Sequence, residues 1–302
     1  MRHGVVILPE HRWAEDRHRW VRAEELGFDH AWTYDQLMWR WLRDDTWFGT
    51  VPVLAAAAAV TSRITLGTMV ATPSFRHPVP FAKELMTLDD ISGGRFVCGL
   101  GAGAGGADEE AAGGAGATAR TAGQRAERFA EFVELADRLL REPTTTHRGR
   151  YYTTRDTAMR PGCVQRPRLP FAVAATGPRG MRLAARHAAT WITAGTPGRF
   201  DARPWREALP VVRAQLDRLD EACAAEGRDP ATLDRLLLTG AEVGGVLDSA
   251  DAHEDAEGAF GELGVTDLVV HWPRAAFPYE ARPGVLDRIA ERLARRTPVG
   301  AR

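Results

Sequence analysis

The chain has 302 residues, 44% of them hydrophobic and 26% charged, with a formal net charge of -1. This balance supports a large buried core and excludes a disordered or collagen-like chain. With 39 Lys and Arg against 40 Asp and Glu, and Lys83 the lone lysine, no basic face is implied and nucleic acid is a poor partner.

Short apolar runs alternate with longer amphipathic ones along the whole chain. Strands are predicted over 4–8, 28–33, 64–70 and 95–100, and helices over 10–26, 45–61 and 78–91. Gly27 suits a helix C-terminus, and Pro78 suits a first helical turn. After a Gly/Ala tract over 101–123, a helix is predicted over 121–141. Tyr151 and Tyr152 fall in a short hairpin. Strands over 170–175, 189–193, 236–243 and 267–272 alternate with helices over 178–188, 204–226, 249–263 and 284–296.

Eight strand–helix units without a composition break predict a (β/α)8 TIM barrel, residues 1–302 forming one domain. An open doubly wound sheet is the alternative. The Gly/Ala tract follows the fourth strand, so it is either a flexible lid over the active face or a surface insertion. The longest apolar run, 51–60, is about half of what a membrane span needs and reads as a buried helix. Residues 4–8 are too short for a signal peptide. Cys98, Cys163 and Cys223 lie far apart, as expected of reduced thiols in a cytoplasmic protein. Cys98 reads as a buried, inert thiol.

Barrel chemistry sits on the loops after the strands. That rule selects His11, residues 35–45, 72–77, 101–110, 176–180 and 194–197, Glu242, and 271–274. Thr176-Gly177-Pro178-Arg179-Gly180 opens a helix, so it is either a phosphate site or plain turn chemistry. Gly99-Leu100-Gly101-Ala102-Gly103 lacks the helix that a dinucleotide fingerprint needs at once, and close approach of backbone to a flat ligand fits it better. Trp39, Trp41 and Trp47, with Tyr34 and Met38, form either an apolar substrate slot or a plug of core at the barrel end. Trp272, beside His271, poses the same question. There is no G-x-S-x-G elbow and no H-E-x-x-H, and His3, His11, His18 and His30 show no ligand spacing, so no metal is assigned.

Arg63-Ile64-Thr65-Leu66-Gly67-Thr68, Arg76-His77-Pro78, Thr87-Leu88-Asp89, Ser92-Gly93-Gly94-Arg95-Phe96 and the run from Gly99 to Gly103 form a block that resembles the luciferase-like monooxygenase family. Gly27 to Trp32, Gln165-Arg166-Pro167, Thr176 to Arg179 and Leu183 to Ala188 extend the likeness over most of the chain. Such proteins use coenzyme F420 for hydride transfer, or reduced FMN with oxygen, and the block is most similar to the F420 group. The resemblance implies a cis peptide between Met69 and Val70 behind the cofactor ring. It implies Asp35, Thr72, Ala102 and Gly103 lining the cofactor, and Thr176, Gly177, Arg179 and Gly180 around its phosphate. Trp39, Trp41, Trp47 and Trp272 are expected at the substrate, and a homodimer is expected as the assembly.

Two departures narrow the chemistry. The F420 group commonly has Asp-His after strand two, where this chain has Asp35-Gln36, and glutamine is no general acid. Its sugar-phosphate dehydrogenases carry a Glu where Ala104 stands, which argues against sugar-phosphate oxidation. His271 is then the expected proton-transfer group, with Asp35 competing. F420-dependent hydride transfer to or from a small organic substrate, aromatic ones included, is the leading reading. An FMN-dependent monooxygenase is second, and a non-catalytic flavin-binding protein third.

Overall fold

The computed structural model describes residues 1–103, 120–196, 203–240 and 242–296. The chain runs β1 (Arg2–Val6), α1 (Trp13–Glu25), β2 (His30–Thr33), α2 (Thr50–Val60), β3 (Thr65–Thr68), α3 (Pro78–Ile91) and β4 (Phe96–Gly101). Then come α4 (Ala122–Arg141), the hairpin β5 (Thr144–Arg148) and β6 (Thr153–Ala158), β7 (Phe171–Ala174), α5 (Pro178–His187) and β8 (Thr190–Thr193). The last part holds β9 (Arg203–Pro204), α6 (Trp205–Ala225), β10 (Asp234–Leu238), β11 (Val243–Gly244), α7 (Ala250–Glu262), β12 (Asp267–His271) and α8 (Val285–Arg296).

The main sheet is a closed parallel barrel in the order β1-β12-β10-β8-β7-β4-β3-β2. Its seam pairs Arg2 with Asp267 through to Val6 with His271, as the alternating pattern predicts, and excludes an open sheet. Strand alternation divides the core in two. Val6, Trp32, Met69, Ala172, Ile192, Leu236 and Val269 fill the barrel. Val5, Ala31, Leu66, Val173, Leu237 and Val270 face the helices. Helix ends follow local chemistry: the Thr121 hydroxyl and the Gln124 amide close a capping box at α4, and Pro78 and Pro178 open α3 and α5.

Tyr151 and Tyr152 lie in the turn between β5 and β6. Cys98, Cys163 and Cys223 are all buried and free, and burial pushes each thiol up from its ordinary range. Among the described residues no helix is long and apolar enough to cross a membrane.

One expectation is corrected. The seventh barrel strand stops at Leu238 instead of running on to Val243. Gly240, at φ 123°, takes a conformation no other residue type adopts readily, and the chain turns out of the barrel there. The glycines of β4 also serve packing. A Cβ at Gly99 would stand 1.9 Å from the Thr68 carbonyl oxygen, and one at Gly101 2.6 Å from a Val70 methyl. These glycines let β3 and β4 approach each other, and Gly101 also lies on the cavity at the barrel mouth. The lid expected over 101–123 lies mostly outside the described residues, as does Ala104.

Candidate active site

A cavity of about 1530 Å³ opens at the C-terminal ends of the barrel strands. It is larger than the ~300–1,000 Å³ of a single drug-sized ligand, so it has room for a cofactor and a substrate together. Met69, Val70, Thr72, Ala102, Gly103, Thr176, Gly177, Arg179 and Gly180 all line it. Those residues come from the ends of three strands, β3, β4 and β7, which the barrel order makes neighbours. The Met69-Val70 peptide is cis, as the resemblance implied.

On the β7 side, Gly177 precedes α5 and Pro178 begins it, leaving the helix's first N–H groups free of intrahelical partners. A Cβ at Gly177 would meet nothing within 4 Å, so the protein itself leaves the approach to these groups open. Arg179, Arg182 and Arg186, all on α5, line this side of the cavity. Arg179 is 72% exposed and only 3.9 Å-paired with Glu127, so it is available to a second anion.

The β2–β12 side is built differently. Tyr34, Met38, Trp39, Ile192, Leu238, His271 and Tyr279 line it. The Tyr34 hydroxyl hydrogen-bonds His271 Nε2 at 2.8 Å and the Tyr279 hydroxyl at 2.9 Å. Tyr279 stacks flat on His271 with ring centroids 3.5 Å apart, and Trp39 stands edge-on to Tyr34. Gln36 also lines the cavity, and its buried Oε1 has no hydrogen-bond partner among the described residues. Such an atom is costly unless a ligand N–H or O–H satisfies it.

Several predicted site residues take other roles. Asp35 does not line the cavity; its carboxylate accepts two hydrogen bonds from the Arg76 guanidinium, at 2.6 and 3.0 Å, and is 1% exposed. Trp41 and Trp47 pack behind Trp39 against the inner core, with the Trp47 indole donating to the Gln36 carbonyl. Trp272 faces the opposite way, against the outer core and a smaller cavity beside α1 and α8. Adjacent residues of a strand point to opposite faces, so His271 and Trp272 cannot share one pocket. His271 does reach the cavity, but complete burial lowers its pKa to about 3 and leaves it neutral at physiological pH. It therefore holds no spare proton of the kind expected.

Glu242 has the property expected of His271. It lines the cavity on the loop between β10 and β11, and burial pushes its carboxyl up to about 8. Position alone selected it in the sequence, among many rim residues. Its protonation depends on the barrel around it, and no local pattern encodes that.

The luciferase-like monooxygenase family model matches residues 1–288. The chain belongs to that family. The chain is similar to an F420-dependent glucose-6-phosphate dehydrogenase of Intrasporangium calvum, 33% identical over 86% of this chain and 81% of that one. A 4-hydroxyprotoasukamycin monooxygenase of Streptomyces nodosus subsp. asukaensis is 29% identical over 93% of this chain and 71% of its own. The structure of the coenzyme F420-dependent tetrahydromethanopterin reductase from Methanopyrus kandleri superposes with a TM-score of 0.75, covering 96% of this chain and 97% of that one at 18% identity. At that identity the likeness concerns the fold. This luciferase-like barrel is thus an oxidoreductase.

Proposed function

We propose that this luciferase-like barrel uses coenzyme F420 to transfer hydride to or from an uncharged small organic substrate, aromatic compounds included. The observation that carries this reading is the division of the cavity. Its only lining cations among the described residues, Arg179, Arg182 and Arg186, stand on the β7 side by the α5 N-terminus. That side suits the phosphate and acidic tail of the deazaflavin. The β2–β12 side is aromatic and aliphatic and suits an organic substrate.

The bound cofactor supplies a two-electron hydride. The protein's residues bind and orient. Gly177 and the α5 N–H groups receive the phosphate, with Thr176, Arg179 and Gly180 beside them. Met69, Val70, Thr72, Ala102 and Gly103 form the shelf for the ring. Gln36 offers a hydrogen-bond acceptor, and Tyr34, Trp39 and Tyr279 keep water from the reacting carbon. Titration of the purified protein with F420 and with FMN, followed by tryptophan fluorescence, tests this. Quenching that saturates with F420 at concentrations where FMN has no effect is the expected result. Saturation by FMN alone overturns it in favour of the second reading, an FMN monooxygenase, which the likeness to the Streptomyces monooxygenase supports.

We place this activity in the cytoplasm, in a single-domain chain that forms a homodimer and binds no nucleic acid. Three buried reduced thiols and the balanced charge support that setting. Light scattering of the purified protein tests the dimer.

A further inference from the structure

We propose that Glu242 is the general acid of this site, handing its proton to the substrate as hydride arrives. This rests on the reductive direction of the function proposed above. Hydride adds to the electrophilic carbon of a C=C–C=O or C=O group, and the displaced π pair leaves an enolate or alkoxide oxygen. That oxygen takes the carboxyl proton of Glu242, and solvent reprotonates the carboxylate. One hydride from reduced F420 and one proton balance the reduction, and the cofactor leaves oxidised.

The geometry singles Glu242 out by what surrounds each cavity group. Among the described residues its carboxyl has no ion pair and no hydrogen bond. The other lining carboxylates, Glu127 and Glu134, face arginines: Glu127 is 2.8 Å from Arg150 and Glu134 4.0 Å from Arg186. Asp35 is bound to Arg76. Glu242 stands near the end of β8, where a Cβ on Gly195 would be 4.0 Å from its Oε2. It is also within electrostatic reach of Tyr34 and Tyr279, both of which its charge would push up. Among the described residues, the groups facing it from neighbouring elements are these two phenols, with neutral His271 lining the same cavity. Beyond them, Arg274 is held by Glu10, and Arg203 on β9 lies 3.5 Å from Glu207. Among the described residues no cation is placed to draw the proton off. The low polarity of this side of the cavity therefore keeps Glu242 neutral, with a titration near 8 that suits proton transfer at physiological pH.

The test compares wild type with Glu242→Gln and Glu242→Asp. Reduced F420 and cyclohex-2-en-1-one are the reactants, and the appearance of oxidised F420 is the signal. Wild-type kcat should fall as pH rises through about 8, because the acid form is the active one. Glu242→Gln should lower kcat about 100-fold and lose that limb, while F420 binding stays within about twofold. Glu242→Asp should recover at least a tenth of the wild-type rate.

A second readout needs no cofactor. The folded state holds a proton that the unfolded chain has released between pH 4.5 and about 8, so wild-type stability should fall across that window and Glu242→Gln should not share the fall. An unchanged rate and pH profile in Glu242→Gln, with F420 bound and the enone turned over, overturns Glu242 alone. So does a stability curve without the fall. Failure of wild type to bind F420 or reduce the enone overturns the function on which the proposal rests.

Discussion

Tyr34 and His271 meet across the barrel mouth: the phenol hydroxyl lies 2.8 Å from Nε2 of a histidine that is 2% exposed. The two residues are 237 positions apart, at the ends of β2 and β12 on either side of β1. The Tyr34 hydroxyl thus bridges His271 Nε2 and the Tyr279 hydroxyl, 2.9 Å away. The chain of hydrogen bonds holds three rings as one wall.

Tyr34→Phe removes the hydroxyl and leaves Nε2 of a buried imidazole without its partner. The expected loss is about 1–3 kcal/mol, the desolvation cost of an unpaired buried polar atom. Urea unfolding measures it. A loss below about 0.5 kcal/mol would mean that the rings are held by stacking alone.

Gly101 and Gly177 separate packing from binding. Gly101→Ala drives a Cβ to 2.6 Å from a Val70 methyl and should cost about 1–3 kcal/mol by overpacking β3 against β4. Gly177→Asp meets no atom within 4 Å and adds a good N-cap to α5, so thermal stability should hold or rise. Its carboxylate would oppose a bound phosphate, so F420 affinity should fall at least tenfold, or about 1.4 kcal/mol. Unchanged affinity in a fluorescence titration would remove the anion site from the α5 N-terminus.

These contrasts show which parts of the structure could be read from the sequence. Period-two and helical patterns are local, so the order of strands and helices was legible, down to α3 at Pro78–Ile91. The strand predicted over 236–243 failed because Leu236-Leu237-Leu238 and Val243 were joined across Thr239, Gly240 and Glu242, although a glycine there is itself a turn signal that its φ bears out. Trp272 could have been excluded, since it follows an inward-facing His271 on the same strand. Trp41 and Trp47 could not, because loop residues carry no periodicity. The neutrality of His271 and Glu242 comes from burial by distant segments and has no signature in the residues themselves.

Asp35 was read as a candidate acid and is a structural anchor. Asp35→Asn removes the ion pair at 2.6 Å and leaves Arg76 with Glu84 at 3.0 Å as its remaining partner. The expected loss is about 3 kcal/mol, the low end for breaking a buried pair, because Glu84 still meets the guanidinium. The Asp35→Asn, Arg76→Met double variant should lose less than the two single changes added together. If the losses add, the pair is not energetically coupled.

The last prediction concerns the charge of the substrate. A relative with a third of its residues identical is named for oxidising glucose 6-phosphate, yet this cavity offers a phosphate little on its substrate side. Among the described residues the lining cations all belong to α5, where the cofactor's own phosphate is proposed to sit. Lys83, the lone lysine, is elsewhere, donating to the carbonyl of Arg160. A sugar phosphate would have to bring its charge among Tyr34, Trp39, Leu238 and the neutral Glu242, or displace the cofactor's phosphate. Leaving that charge uncompensated costs several kcal/mol, and about 4 kcal/mol is a factor of ~1,000 in affinity. With F420 present, glucose 6-phosphate should therefore reduce it at least ~1,000-fold less efficiently, in kcat/KM, than a neutral secondary alcohol such as cyclohexanol. The decay of oxidised F420 absorbance measures both rates in one assay. Efficiencies within tenfold of each other would show that a cation reaches the substrate, and the neutral-substrate reading would fall.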